Sequence, residues 1–253
     1  MLLVAERQQN ILEKVNEQGS VRVNELSAFY QVTEETIRRD LFKLEKDGKL
    51  KRTHGGAVRI TESLETPYLE REVLQAKEKI AISKAAVQWV KEGDSIALDA
   101  STTSWYVAQH LPDMRLTVLT NAIQVVTALS GKEQIEVIST GGSLRPSSLS
   151  FVGRLAEEAL SSYHVNKVFM SCRGLHLPSG IVSEPSEMQC MIKRKMRGIA
   201  DQAFLLADHS KFGQQSFSAL GTLSDYDRII TDWPEDDVPT DILEGVVWQT
   251  VRI

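Results

Sequence analysis

The chain has 253 residues, 42% hydrophobic and 25% charged, with a formal net charge of −5; at about 100–200 residues per domain that is one large domain or two unequal ones. No uncharged apolar run approaches the roughly 18–20 residues a membrane helix needs, and the opening MLLVAERQQ meets Glu6 and Arg7 too early for a signal-peptide core. The cysteines Cys172 and Cys190, two in all, argue against a disulfide framework and for a reducing cytoplasm.

Residues 6–17 (ERQQNILEKVNE) put Ile11, Leu12 and Val15 at helical spacing before Gly19. VNELSAFY predicts a second short helix, with Leu26 and Phe29 or Tyr30 on its buried side. A third begins at Thr33, whose hydroxyl can accept a free backbone N–H, and Glu34 and Glu35 follow in the turn where the helix dipole favours acids. Ile37, Leu41 and Leu44 make one apolar stripe. Glu35, Arg39, Lys43 and Lys46 fall broadly opposite it, and Thr36 and Arg38 flank it. GKLKRTHGGAVRI then predicts a basic β-hairpin around Gly55-Gly56. Residues 1–60 hold 11 basic and 9 acidic residues, and 38–59 alone hold 8 basic against 3 acidic. Such a patch on an acidic protein is what phosphate backbones respond to. A solvated helix face is the plain alternative. A helix buried on one side and basic on the other is also what a major-groove reader requires.

Residues 61–75 (TESLETPYLEREVLQ), rich in glutamate and carrying Pro67, read as a linker. Beyond them the chain alternates. SIALD (95–99), LTVLT (116–120), IEVIST (135–140), KVFMS (167–171), AFLLAD (203–208), RIIT (228–231) and VVWQTV (246–251) predict strands. AKEKIAISKAAVQWV, TTSWYVAQHL, AIQVVTALS, VGRLAEEALSS and CMIKRKMRGIA predict helices. Near-continuous apolar strands separated by helices point to a mostly parallel sheet covered on both faces.

In such sheets ligands collect at the carboxyl ends of the strands, and those ends are polar here: Asp99, Ser101, Thr102 and Thr103 after the first, Thr120 and Asn121 after the second, and Gly141 and Gly142 after the third. Each has a dull reading as a cap or turn residue. Together, hydroxyls and free N–H groups at helix starts suit a bound phosphate.

The pattern Arg7, Ile11, Val15, Thr33, Thr36-Ile37-Arg38-Arg39-Asp40-Leu41, continuing into HGGA, resembles the N-terminal signature of the DeoR family of bacterial transcription regulators. The resemblance implies a winged helix-turn-helix over 1–60 with 33–47 as recognition helix. Thr33, Glu35, Thr36, Arg38, Arg39 and Lys43 would then meet operator DNA, and Lys51, Arg52 and His54 of the wing its backbone. Arg7 and Asp40 are expected to hold the domain together as an ion pair, since phosphate repels an acid. LDASTT, TNAIQV, STGGSL, SCRGL, IKRKM and ADHSKFG are similar to the family's C-terminal effector domain, which resembles the ribose-phosphate isomerase fold. That implies a sugar-phosphate-sensing and oligomerising domain over 76–253. Lys193, Lys211 and Asp208 carry over as ligand contacts, with Lys193 a solvated charge in the plainer reading. Two positions depart from the family pattern. Arg173 stands where a carboxylate is usual, either as an added anion contact or as a partner of Glu184 or Glu187, and Met191 stands where an acid is frequent.

An isomerase of the related fold needs a carboxylate to move a proton between sugar carbons, and the acid expected beside SCRG is gone. The five histidines show no paired metal-ligand spacing, so neither metal nor cofactor is expected. A purely architectural DNA binder would not need the second domain. The expected function is a cytoplasmic, homo-oligomeric repressor of a sugar-catabolic operon, released by a phosphorylated sugar, with an activator of the same class as the alternative. The IALDASTTSWYVAQHLPD and FMSCRG segments look closest to regulators of L-fucose or L-rhamnose use.

Overall fold

The computed structural model describes residues 4–46, 49–53, 55–58, 66–235, 238 and 246–253. The chain divides into two units, Met1–Leu64 and Glu65–Ile253.

In the first unit the apolar stripe seen in the sequence becomes a core. Helix α1 (Val4–Gln18) contributes Ile11 and Val15, α2 (Val23–Tyr30) contributes Val23 and Leu26, and α3 (Glu34–Lys46) contributes Ile37, Leu41 and Leu44. Tyr30 packs against this cluster, whereas Phe29 stands exposed beneath the Lys14 ammonium, 4.0 Å from its ring centre. Short strands β1 (Ser20–Arg22), β2 (Lys51–Thr53) and β3 (Gly56–Val58) form one antiparallel sheet in the order β1-β3-β2. Thr53 pairs with Gly56, which places Gly56 in β3. A glycine is needed at that position because a Cβ there would sit 1.9 Å from the Val21 carbonyl oxygen. Beneath α1 and α3, Arg7 Nε lies 2.6 Å from Asp40 Oδ2, buried, and Gln8 donates to the other carboxylate oxygen at 2.8 Å.

The second unit opens with α4 (Tyr68–Val73) and α5 (Ala76–Val87), and continues through β4 (Ser95–Leu98), α6 (Thr102–His110), β5 (Leu116–Thr120), α7 (Ile123–Leu129) and β6 (Ile135–Ser139). A hairpin of β7 (Ser143–Arg145) and β8 (Ser150–Val152) leads to α8 (Arg154–Leu160) and β9 (Val165–Ser171). Then come β10 (Gly174–His176), β11 (Ile181–Glu184), α9 (Glu187–Gly198), β12 (Ala200–Ala207), β13 (Ser218–Thr222), β14 (Arg228–Thr231) and β15 (Val247–Thr250). The seven strands expected from the sequence are the seven of the main sheet, all parallel, in the order β15-β14-β12-β9-β4-β5-β6.

Alternate residues of each strand enter opposite cores. Ile96, Leu98, Val118, Phe169 and Leu206 pack under α5, α6 and α7. Ala97, Leu119, Val168, Met170 and Leu205 pack under α8 and α9. A second sheet, β10-β11-β13, covers part of that latter face.

The expected linker is corrected in part. Residues 61–65 lie outside the described residues, but 66–75 form a strap belonging to the second unit. Tyr68 buries its ring, its N–H donates to Ser147 at 2.8 Å, and Tyr106 donates to the Glu72 carbonyl at 3.4 Å. No helix among the described residues is long and apolar enough to cross a membrane.

Candidate functional site

On α3 the Thr33 hydroxyl accepts from the Thr36 N–H at 3.2 Å and shares a 2.9 Å hydrogen bond with the Thr36 hydroxyl. Glu35, Arg38, Arg39 and Lys43 all face solvent. They are not electrostatically alike. Arg38 is paired with Glu34 at 2.7 Å, one helical turn back. Arg52 of the wing is clipped to Glu45 of α3 at 2.8 Å, and its backbone N–H donates to the same carboxylate. Arg39 and Lys43 have no acid within 4.0 Å among the described residues, which leaves their charge directed outward. Lys51 opens β2, and His54 lies outside the described residues. A one-sided basic helix with a wing tied to it by an ion pair has the geometry to enter a major groove while the wing follows the backbone.

In the second unit a cavity of about 340 Å³ opens over the carboxyl ends of β4, β9 and β12. Its walls come from five places: the strap and α5 (Thr66, Arg71, Leu74, Gln75, Lys79), the start of α6 (Ser101, Thr102, Thr103), the end of β9 (Ser171, Cys172, Arg173), the β11–α9 region (Glu184, Pro185, Lys193), and the segment after β12 (Ser210, Lys211, Gln214, Gln215, Ser216). Gly174 allows the last of these to close in, since a Cβ there would stand 2.6 Å from the Gln214 carbonyl oxygen.

Asp99 is the hub below this cavity. One carboxylate oxygen accepts from the Ser101 hydroxyl at 2.6 Å, the Ser104 hydroxyl at 2.5 Å and the Ser101 N–H at 3.2 Å. The other accepts from the Ser171 N–H at 3.1 Å and lies 3.0 Å from Lys193 Nζ. Burial pushes the carboxyl up, but the Lys193 charge and the two hydroxyls outweigh it and hold Asp99 below the usual carboxylate range. Asp99 therefore joins β4, α6, β9 and α9 rather than pointing at a ligand. Lys193 is likewise neither a solvated charge nor a free anion contact. It is buried, donates to the Ser171 carbonyl at 2.7 Å, and is bound to Glu184 as well as Asp99. Burial works against its charge, yet the two carboxylates hold it above the ordinary lysine value. Glu184, whose burial outweighs the help it receives from Lys193, is held above the usual carboxylate range. Arg173 donates to Thr66 at 3.3 Å, so of its two readings the pairing with Glu184 or Glu187 gives way to a contact with the strap.

Lys211 lies 3.2 Å from Asp208, which also accepts from the Ser210 N–H at 3.1 Å and from its hydroxyl. Burial raises Asp208, but Lys211 and Ser210 bring it below the ordinary range. The neighbouring His209 fixes this turn from outside, donating its backbone N–H to Asp232 at 2.6 Å with its ring Nδ1 2.5 Å from the same carboxylate.

Four expected ligand residues lie elsewhere. Thr120 donates to the Leu98 carbonyl at 2.7 Å and accepts from the Ala122 N–H, Asn121 donates to the Phe151 carbonyl at 2.9 Å, and neither lines the cavity. Gly141 and Gly142 turn the chain at positive φ, and a Cβ on Gly142 would press within 3.0 Å of Ala156. The strand order is the reason: β5 and β6 stand on the far side of β4 from β9 and β12, whose ends form the cavity floor. Conversely, sequence reasoning passed over Arg71 and Lys79. The signal for Lys79 was present, because Lys79, Ile82, Ser83 and Ala86 follow helical spacing and all are buried. Burial lowers Lys79 to about 8.

Residues 7–63 match the family model of a DeoR-like helix-turn-helix domain, and residues 74–233 match that of a DeoR C terminal sensor domain. The chain belongs to the DeoR family. As a member it is a transcriptional regulator with a DNA-binding helix-turn-helix unit and a sensor unit. The DeoR-family chain is 52% identical to the uncharacterized HTH-type transcriptional regulator YulB of Bacillus subtilis, over 96% of this chain and 94% of that protein. It is 39% identical to an L-fucose operon activator of Haemophilus influenzae, over 89% and 91%, and 36% identical to the HTH-type transcriptional repressor GlcR of Bacillus subtilis, over 94% and 92%. Among solved structures it is similar to ribose 5-phosphate isomerase A from Methanocaldococcus jannaschii, at 16% identity and a TM-score of 0.40 over 53% of each chain.

Proposed function

We propose that this DeoR-family regulator represses a sugar-catabolic operon and leaves its operator when a phosphorylated sugar fills the cavity of the sensor unit. The cavity's charge carries the reading. Arg71, Lys79, Arg173, Lys193 and Lys211 line it, against Glu184 on the wall and Asp99 and Asp208 beside it. The excess of two positive charges suits a phosphate dianion, and the hydroxyls of Ser101, Thr102, Thr103 and Ser210 suit a polyol. In this reading Ser101, Thr102, Thr103, Arg173 and Lys211 touch the ligand, while Asp99, Lys193 and Asp208 support them. No catalysis is assigned: Asp99, Glu184 and Lys193 hold one another, so none of these three is a free base. The similarity to an L-fucose operon activator supports a 1-phosphorylated deoxy-ketose as the ligand, and gives activation as the second reading. The protein acts in the cytoplasm as a homo-oligomer that sets two α3 helices into successive major grooves.

Fluorescence anisotropy on DNA from upstream of the protein's own gene, titrated with a panel of sugar phosphates, tests this. One phosphate is expected to change operator affinity while its unphosphorylated sugar does not; DNA binding that no phosphate alters would overturn the sensor reading. In the same assay Arg39→Ala is expected to weaken operator binding by about 1–3 kcal/mol, a factor of roughly 5–150. Phosphate binding should be unaffected, and an unchanged operator affinity would remove α3 as the reader.

A further inference from the structure

We propose that Glu78, His209 and Asp232 hold a divalent transition-metal cation of the zinc class, and that the bound cation ties the turn carrying Lys211 to the first turn of α5. The inference goes beyond the sugar-phosphate reading and does not rest on it, since none of the three residues lines the cavity.

Glu78 stands in the first turn of α5, His209 in the turn after β12, and Asp232 just beyond β14. Each offers one ligand atom, and the three atoms lie within 4.8 Å of one another. No other trio of histidine, cysteine or acidic side chains converges in this way among the described residues. The ligands come from three separate elements, which is why spacing along the chain shows no metal motif.

The composition of the set selects the ion. One imidazole nitrogen and two carboxylates, completed by water, suit zinc, whereas magnesium and calcium draw on oxygen ligands. The local charge also favours a cation. Asp232 has a side chain only 4% exposed, and the hydrogen-bond partners of its carboxylate among the described residues are both on His209: the backbone N–H at 2.6 Å and ring Nδ1 at 2.5 Å. Glu78 has no hydrogen bond and no cation within 4.0 Å among the described residues. Lys211, the cation of the same turn, is engaged by Asp208.

Zinc holds such ligands at about 2.0–2.2 Å, so it takes the place of the proton between Nδ1 and Asp232 once that pair opens by roughly 0.5–1 Å. The His209 side chain is 44% exposed and Glu78 is half-buried, so these two can move while the buried Asp232 stays. Behind the ring, the Gln75 side-chain amide lies 3.4 Å from His209 Nε2. With Nδ1 on the metal, that amide can turn its oxygen to the Nε2–H and orient the imidazole. The consequence reaches the cavity, because Lys211, two residues after His209, lines its wall. An occupied site would anchor that part of the wall to α5.

The test uses the full chain stripped of metal by a chelator, with zinc chloride as the probe, read by calorimetry and by amide exchange of residues 208–212. The wild type is expected to bind one zinc per chain at micromolar concentration or below, and to exchange more slowly in that turn when it does. His209→Ala and Glu78→Gln should each weaken binding by at least about tenfold and lose the protection. Glu78→Gln should melt with the wild type when metal is absent, so it keeps the test decisive if His209→Ala disturbs the turn. His164→Ala, which removes another exposed histidine–aspartate pair, His164 Nε2 to Asp201 at 2.8 Å, should bind zinc as the wild type does. Wild type that binds no zinc, binding that survives in Glu78→Gln or in a folded His209→Ala, binding lost in His164→Ala, or zinc displaced by excess magnesium would each overturn the inference. The sugar-phosphate reading stands under every one of these outcomes.

Discussion

Lys193→Met is expected to lower the stability of the sensor unit by about 3–5 kcal/mol, because it leaves two buried carboxylates without their cation. A fall in melting temperature of roughly 10 °C would follow for a unit of this size. Asp99, held below the usual range, contributes stability at pH values above that range and loses it as the carboxyl protonates. Lys193, held above the ordinary lysine value, contributes below that value and loses its effect at strongly alkaline pH. Glu184, raised, acts in the opposite sense to Asp99, since its protonated form is the cheaper one to bury. The wild type should therefore be most stable between roughly pH 5 and pH 10. The variant should gain stability as pH falls from 7 to 5, when its uncompensated carboxyls take up protons. A variant that melts with the wild type at pH 7 would mean that the three charges are hydrated and independent.

Asp40→Ala should have the corresponding effect on the first unit. It strands the Arg7 guanidinium in a site where both side chains are nearly inaccessible, again at about 3–5 kcal/mol. A unit of some sixty residues has little more stability than that to lose. Operator binding should disappear, the helical signal should drop, and phosphate binding by the sensor unit should persist. Asp40→Asn, which keeps hydrogen-bond acceptance from Gln8 or Arg7 without the charge, should fall between. A folded Asp40→Ala protein with altered operator preference would instead make Asp40 a DNA contact.

The parts legible in the sequence are those where a strand or helix is buried on a simple pattern. The seven sheet strands stand out because burial on both faces makes them nearly continuous apolar runs, as in KVFMS and AFLLAD. The strap was illegible because α4 buries only Tyr68 and exposes Leu69 and Val73 among charged neighbours, so its composition is that of a linker. Strands β10 and β13 (GLH, SALGT) are too short to show a period. On α9 four cations stand close together, and only Lys193 shares the buried face with Gln189, Ile192 and Met196. Spacing alone could have selected it, but the carboxylates that hold it arrive from β4 and β11, which no local pattern reveals. The same limit explains the misplaced Thr120, Asn121, Gly141 and Gly142. Polar residues at strand ends were visible, and the lateral order of the strands was not.

That lateral order bears on how the molecule is made. Strands β4, β5 and β6 lie next to one another, but the other side of β4 is paired by β9, which is synthesised only after the β7–β8 hairpin and α8. A nascent chain that has reached Ser139 thus carries three strands with one long side of β4 unpaired, its N–H and C=O groups open beside Ile96 and Leu98. Such a side is a template for pairing with another chain until Val165–Ser171 leaves the ribosome. The first unit, finished by residue 64, carries no such debt. Slow translation between Ser139 and Val165 should therefore be the step at which this protein most depends on chaperones, and the step at which overexpression loses it to aggregates.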